Sequence, residues 1–419
     1  MFILHPKNNM QEQVCSGKQL FRQLSLILDG HHSSTQVLLQ KPRCVEFVRD
    51  IQSAILGSIN AHKPSAASVE TSASPESFLV VDGNLAISVS ALSPIYKYAW
   101  KSFTDLTLMA RSQIEQDGND LGINSAQSDL NAWTVTIANT SQALVLVNPE
   151  CYTAWNARKN LISLGQIDAM DEFHFTSLLL SKHPKSSTIW VHRYWIRSQL
   201  KESCIADLRM LDISICEKSA DSYKRNYPAW TYRMKTFNLS SKDNILQELD
   251  LSRSWCKAHV SDHSGWNYRQ WLILGLTGLD TNRDCISKVL AREMDLLHQL
   301  IFLCSGHESL WYHLRFASKL ANLTVLDWAD SSPRNITIEK DSKVDGEAIS
   351  VVYGTDLAPS YLHEYQFAQM VADSSLTDRE YALIYSFILT RDTSDTKKYE
   401  FVKSILQTEY PDRLMFSSM

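Results

Sequence analysis

Glycine is scarce in this sequence, 13 of 419 residues, and no phosphate-cradling loop of the Gly-x-Gly-x-x-Gly or Walker type occurs. The eight cysteines include no Cys-x-x-Cys pair, which removes the zinc ribbon and the dithiol redox motif from consideration. No Gly-x-Ser-x-Gly nucleophile elbow is present. A basic surplus is also missing: the formal net charge is −5, so non-specific nucleic-acid binding has no electrostatic footprint here. No apolar run approaches the roughly 20 residues that span a bilayer, so no transmembrane segment is expected. The opening residues, Met1-Phe2-Ile3-Leu4-His5-Pro6, do not read as a secretory signal. No cysteine stands four from the end, so the chain is not itself expected to be a prenylation substrate of the C-terminal box type. Several cysteines fall in apolar helical patterns, where a free thiol behaves as a small core residue. A reducing, cytoplasmic setting is the simplest expectation.

What the sequence does have is tryptophan at near-constant spacing. Trp155, Trp190, Trp230, Trp266 and Trp311 are separated by 35, 40, 36 and 45 residues. Four are followed three positions later by arginine, namely Arg158, Arg193, Arg233 and Arg269, while the fifth has Arg315 four positions later. A period in this range marks an architecture of stacked units, each burying its apolar face on its neighbours. Each unit reads as helix A, a turn, and helix B carrying the tryptophan. In the second unit, helix A holds Phe173, Leu178 and Leu179 and ends at His183-Pro184. Ser186, Ser187 or Thr188 can cap its helix B. Asn148-Pro149 punctuates the first unit in the same way, and Gly165 is placed to close its helix B. The expected fold is all-α: a right-handed α–α superhelix (solenoid) of helical hairpin repeats, with a less regular N-terminal segment.

Around the repeats the organisation is less regular. Residues 1–60 are expected to contribute an N-terminal helical segment, with Leu20, Leu24, Ile27 and Leu28 at helical spacing. Residues 61–77, rich in Ala, Ser and Pro, read as a flexible linker. Over 78–128 the pattern predicts a hairpin plus a helix packing on the solenoid. Phe78-Leu79-Val80-Val81 and Leu85-Ala86-Ile87 flank the turn-prone Asp82-Gly83-Asn84, a helix follows over 93–116, and 117–128 is polar. The five repeats occupy 129–327, a polar loop 328–359, and C-terminal helices 360–419. Tyr381, Ile384, Tyr385 and Ile388 share one stripe of the last segment.

Tryptophan and arginine at i and i+3 lie on one helix face. The ring fills the wedge between successive helices, and the arginine lies over it or bonds a neighbouring unit, so both types serve first as scaffold. The units resemble the Pro-x-x-Tyr-x-x-Trp-x-x-Arg repeat of protein prenyltransferase α-subunits. Pro149, Tyr152, Trp155 and Arg158 match it. Asn226-Tyr227-Pro228-Ala229-Trp230-Thr231-Tyr232-Arg233 is a further copy, and Pro184-Lys185…Trp190-Val191-His192-Arg193 is similar to the family's Pro-Lys-Asn-Tyr-x-x-Trp-x-His-Arg unit. The resemblance covers about residues 129–320. Within the family, residues 259–270 and Gly306-His307-Glu308-Ser309-Leu310-Trp311 most resemble the third type of α-subunit, that of geranylgeranyltransferase type III.

The resemblance implies a heterodimer in which a β-subunit, favoured to be of the Rab type, carries the zinc and most of the active site. This chain holds no cofactor or metal of its own, and geranylgeranyl diphosphate is the co-substrate. The acceptor is a protein with a C-terminal cysteine, such as an already farnesylated SNARE. The family's α-subunits supply one lysine to the leaving diphosphate, and Lys185 matches it. Tyr227 matches a tyrosine bordering the same site. These two are the implied catalytic residues. Ser186-Ser187 departs from the family's Asn-Tyr, and Pro228 stands where the farnesyltransferase-type subunit has histidine.

Two further readings compete. Lys185 alone would be an ordinary solvated turn lysine, and the whole solenoid could serve as a non-catalytic adaptor for a protein partner. His259 and His263, at i and i+4, have metal-ligand spacing but lack the glutamate and the continuous helix of a metalloprotease motif. His31-His32 reads as an exposed loop.

Overall fold

A computed structural model describes residues 6–29, 44–48, 77–81, 84–116, 126–279, 283–324, 337–341, 348–352, 361–392 and 396–412. The linker over 61–76, the polar stretch 117–125, His31-His32 and most of the 328–359 loop lie outside the described residues. The chain divides into two compact units, Met1–Thr236 and Phe237–Met419.

The first unit begins with α1 (Pro6–Leu28), which packs along α2 (Val89–Gln116) and sets Phe21 against Tyr98 with centroids 5.2 Å apart. Between them in sequence are β1 (Cys44–Val48), β2 (Phe78–Val81) and β3 (Asn84–Ser88). β2 and β3 form the hairpin that the Asp-Gly turn predicts, antiparallel with Val81 opposite Asn84. β1 adds alongside β3 in parallel, Val45 opposite Leu85. That strand was not expected, since it lies in the segment read as helical. Its five residues, Cys-Val-Glu-Phe-Val, carry the β-branched and aromatic content of a strand, but they give too short a run for periodicity to separate it from a helix. Val45, Leu85 and Ile87 turn into one core with Leu144, Leu146, Trp155 and Leu179.

The repeats of this unit follow. They are α3 (Ala126–Val147) with α4 (Tyr152–Ser163), α5 (Ala169–Lys182) with α6 (Ser187–Arg197), and α8 (Arg209–Ser222) with α9 (Tyr227–Thr236), the short α7 (Glu202–Asp207) preceding α8. Local chemistry sets the ends. Gly165, at φ +69°, closes α4: its N–H reaches the Ile162 carbonyl at 2.9 Å and that of Gln166 the Leu161 carbonyl at 2.8 Å. Only glycine takes that left-handed conformation without steric cost. Asp168 caps α5 by accepting from the N–H groups of Met170 and Asp171. His183 ends α5 before Pro184, and Ser186 caps α6.

The second unit holds α10 (Lys242–Ala258) with α11 (His263–Leu279) and α12 (Arg283–Leu303) with α13 (Glu308–Thr324). Then come an antiparallel pair, β4 (Thr337–Asp341) and β5 (Ala348–Val352), and α14 (Tyr361–Ser374), α15 (Arg379–Asp392) and α16 (Thr396–Glu409). The pair β4–β5 falls inside the segment expected as a polar loop. Thr337-Ile338 and Ile349-Ser350-Val351-Val352 supply its β-formers, and the surrounding polar residues hid them. In both units, the elements outside the short strands are helices stacked as hairpins, the all-α solenoid class.

Candidate functional site

The signature residues build a repeated buried lock. Trp155, Trp190, Trp230, Trp266 and Trp311 are each about 2–3% exposed. The indole N–H of Trp155 donates to the Pro149 carbonyl at 2.7 Å, that of Trp190 to Pro184 at 2.9 Å and that of Trp266 to Val260 at 2.9 Å. Each ring thereby pins the turn at the head of its own helix B. The ring then packs on the next repeat: Trp155 on His192 (4.2 Å), Trp190 on Tyr232 (5.1 Å) and Trp266 on His313 (5.0 Å).

Arg158, Arg193 and Arg269 each tie three helices at once. Arg158 donates to the Ala138 carbonyl and Ser141 hydroxyl on α3 and forms a two-pronged pair with Glu172 on α5. Arg193 bonds the Phe173 carbonyl and the Thr176 and Ser177 hydroxyls on α5, and pairs with Asp212 on α8. Arg269 does the same with Leu249 and Ser252 on α10 and Glu293 on α12. Arg233 lies over Trp230 at 5.4 Å and donates to Glu217 at 3.0 Å.

The carboxylates are the part that sequence reading missed. Glu172, Asp212, Glu248 and Glu293 each stand eighteen residues before the tryptophan of their own repeat. Each also accepts a bond from the residue two after that tryptophan. The bonds are His192 to Glu172 (2.9 Å), Tyr232 to Asp212 (2.9 Å), Tyr268 to Glu248 (2.8 Å) and His313 to Glu293 (2.7 Å). The constant offset was a signal that could have found them. Burial alone would raise the Glu172 carboxyl, but the Arg158 charge and the bonds from Arg158 and His192 overcome it and hold it at about 2. Glu293 is held low in the same way by Arg269 and His313. Burial lowers the imidazoles of His192 and His313. These groups are structural acids, spent on packing rather than open to a substrate.

Lys185 lies elsewhere, exposed on the turn between α5 and α6. Its surroundings are built. On one side, Glu150 in the turn before α4 accepts from Ser186 Oγ at 2.7 Å and from Thr188 Oγ1 at 2.5 Å. On the other, the fully buried Asn226 donates to the Pro184 carbonyl at 2.8 Å and to that of Ser219 at 3.0 Å. Just before the turn, β1 docks on the end of α5: Val45 N–H donates to Ser181 Oγ at 2.9 Å, and Phe47 meets His183 at 5.9 Å. The Lys185 ammonium sits 4.5 Å above the ring of Tyr223. Tyr227 follows Asn226 directly and is 57% exposed, so the two implied catalytic residues project from adjacent, hydrogen-bonded turns. Arg225, at φ +58°, is the one non-glycine in the left-handed region among the described residues, and it sits in that second turn.

The departures from the family pattern have local reasons. Ser186 serves as cap and as donor to Glu150. His263 stands where the fourth unit would carry the usual tyrosine, and Gly265 beside it lets α11 approach Trp255 so closely that a Cβ would fall 2.7 Å from its ring. His259 bonds the Trp255 carbonyl and stacks on that ring, whereas His263 packs on Tyr312, so the pair makes separate contacts. Among the described residues, no three His, Cys, Asp or Glu side chains group as metal ligands would. Nor is any helix of the described residues long and apolar enough to cross a membrane.

The protein prenyltransferase alpha subunit repeat family matches residues 169–200, 245–276 and 290–320. The chain is 30% identical to protein prenyltransferase alpha subunit repeat-containing protein 1 of Danio rerio (43% of this chain, 53% of that protein) and 30% identical to that of Homo sapiens (41% and 56%). It is 27% identical to the geranylgeranyl transferase type-2 subunit alpha of Mus musculus (42% and 32%). The match thus spans about half the length of the repeat-containing relatives. A solved Candida albicans protein geranylgeranyltransferase-I complexed with GGPP aligns at a TM-score of 0.45 and 17% identity, over 67% of this chain and 80% of that one. The units α3–α4 and α8–α9, outside the matched residues, carry tryptophan and arginine at the same spacing, and the chain is similar to proteins built from protein prenyltransferase alpha subunit repeats.

Proposed function

We propose that this chain is the α-type subunit of a heterodimeric protein geranylgeranyltransferase of the cytoplasm. In this reading a β-subunit of the Rab type carries the zinc, which activates the acceptor thiol when bound. The acceptor is a protein with a C-terminal cysteine, a farnesylated SNARE among the candidates. The contribution of this chain is electrostatic. As the bond to the isoprenoid breaks, negative charge gathers on the leaving diphosphate, and a cation already in position stabilises it without reorganising. Lys185 is that cation, and Tyr227 borders it as a hydroxyl donor.

The observation that carries the reading is the built turn around Lys185. The turn that carries Lys185 is held from both neighbouring repeats by Glu150 and Asn226, which gives the ammonium a fixed base. On the helices whose ends meet at this turn, Tyr152, Val191, Tyr194, Tyr223 and Tyr227 are 45–65% exposed, the aromatic and aliphatic surface that protein interfaces use.

The test is co-expression with geranylgeranyltransferase β-subunits, followed by transfer of geranylgeranyl to a cysteine acceptor. The expected outcome is a stable one-to-one complex that is active, with inactive separate chains. A chain that binds no β-subunit, or a complex that transfers nothing, would favour the adaptor reading.

A further inference from the structure

We infer that Tyr223 is a positioning residue for Lys185: its ring holds the ammonium in place from the neighbouring repeat. This rests on the reading of Lys185 as the cation that meets the leaving diphosphate.

Three observations converge. First, Lys185 Nζ lies 4.5 Å from the centroid of the Tyr223 ring, within the range in which the face of an aromatic ring attracts a cation. Second, Tyr223 is held in place. It is the C-cap of α8 with an extended backbone at φ −142°, and its N–H bonds the Ser219 carbonyl at 3.2 Å. The next turn is fixed by Asn226, which bonds that same Ser219 carbonyl and reaches across to Pro184, the residue before Lys185. Ring and ammonium therefore stand on two pieces of backbone bridged by the Asn226 side chain. Third, the position that the family's pattern fills with tyrosine, two residues after the lysine, is Ser187 here, so an aromatic neighbour is missing from the lysine's own turn. Tyr223 supplies one from the next repeat.

The physical consequence is preorganisation. A free lysine samples many rotamers, and ordering it during the reaction opposes the rate. A ring beneath the ammonium restricts that sampling without neutralising the charge, as a carboxylate partner would. Lys185 itself is exposed, which leaves its ammonium open to an anion. Because the contact uses the ring face, phenylalanine should replace tyrosine and alanine should not.

Two readouts test this. In the isolated chain with 13C-dimethylated lysines, the Lys185 methyl resonance, assigned by its loss in Lys185→Arg, is expected upfield from the ring current. It should move downfield in Tyr223→Ala and stay in Tyr223→Phe. In the heterodimer, Tyr223→Ala is expected to lower kcat roughly three- to tenfold with little change in KM for the acceptor protein, while Tyr223→Phe keeps the wild-type value. The double variant with Lys185→Ala should be no slower than Lys185→Ala alone. An unmoved methyl signal in Tyr223→Ala would remove the contact. A moved signal with unchanged turnover, in a heterodimer that Lys185→Ala still slows, would overturn the positioning role and leave Lys185 in place. Wild-type turnover in Lys185→Ala would overturn the functional reading itself, and the positioning role with it.

Discussion

Arg269 is fully buried and donates to a backbone carbonyl, a serine hydroxyl and both oxygens of Glu293. Such a pair is weak evidence for net stability, because desolvating two charges costs about as much as their attraction returns. Breaking one half is another matter. Arg269→Met leaves Glu293 buried with only His313 as a partner, and should cost about 3–5 kcal/mol in urea unfolding. The double variant Arg269→Met, Glu293→Met should be more stable than the single one. A single variant within about 1 kcal/mol of wild type would show that the lock is ornamental. The arginines were legible as scaffold from their spacing to tryptophan. The acids were not, because a lone Glu or Asp in a helix is usually a solvated residue, and only the eighteen-residue offset distinguishes these.

At the scale of an element, the turns and caps carry the register. Ser186, Gly165 and Pro184 were readable because each does one local job that few residue types can do. β1 escaped because it pairs with the distant β3, and it and the β4–β5 pair have five-residue strands that carry too little pattern. Gly265 gives a test at this scale. In Gly265→Ala the new methyl would meet Trp255 Cζ3 at 2.7 Å and Cys256 Sγ at 3.2 Å. The helices must separate, so a loss of about 1–3 kcal/mol in thermal unfolding is expected, with a change in tryptophan fluorescence. An unchanged midpoint and spectrum would mean that α10 and α11 are not so closely packed.

At the scale of the molecule, the repeated lock makes stability depend on pH. His192 and His313 have folded values below the ordinary 6.5, so the unfolded chain binds more protons as the pH falls, and their contribution is lost from about pH 6.5 downward. Glu172, held at about 2 against an ordinary 4.5, adds a second loss that starts near pH 4.5 and continues towards 2, and Glu293 acts in the same sense. Stability should therefore rise with pH across this whole window, and Arg158→Met should move the acid midpoint upward. A flat profile between pH 7 and 4 would contradict this. The solenoid class was legible because the lock repeats. The candidate site was legible only through family resemblance, since the turn that carries Lys185 is held by residues of three repeats together.

The most direct test of the functional account is the single-turnover rate of geranylgeranyl transfer by the β-subunit heterodimer, with wild type and Lys185→Ala matched for complex stability. The account predicts a loss on the order of 10²-fold in the rate of the chemical step, as for removal of a preorganised electrostatic group, with the acceptor bound as well as before. Equal rates in the two complexes would contradict it.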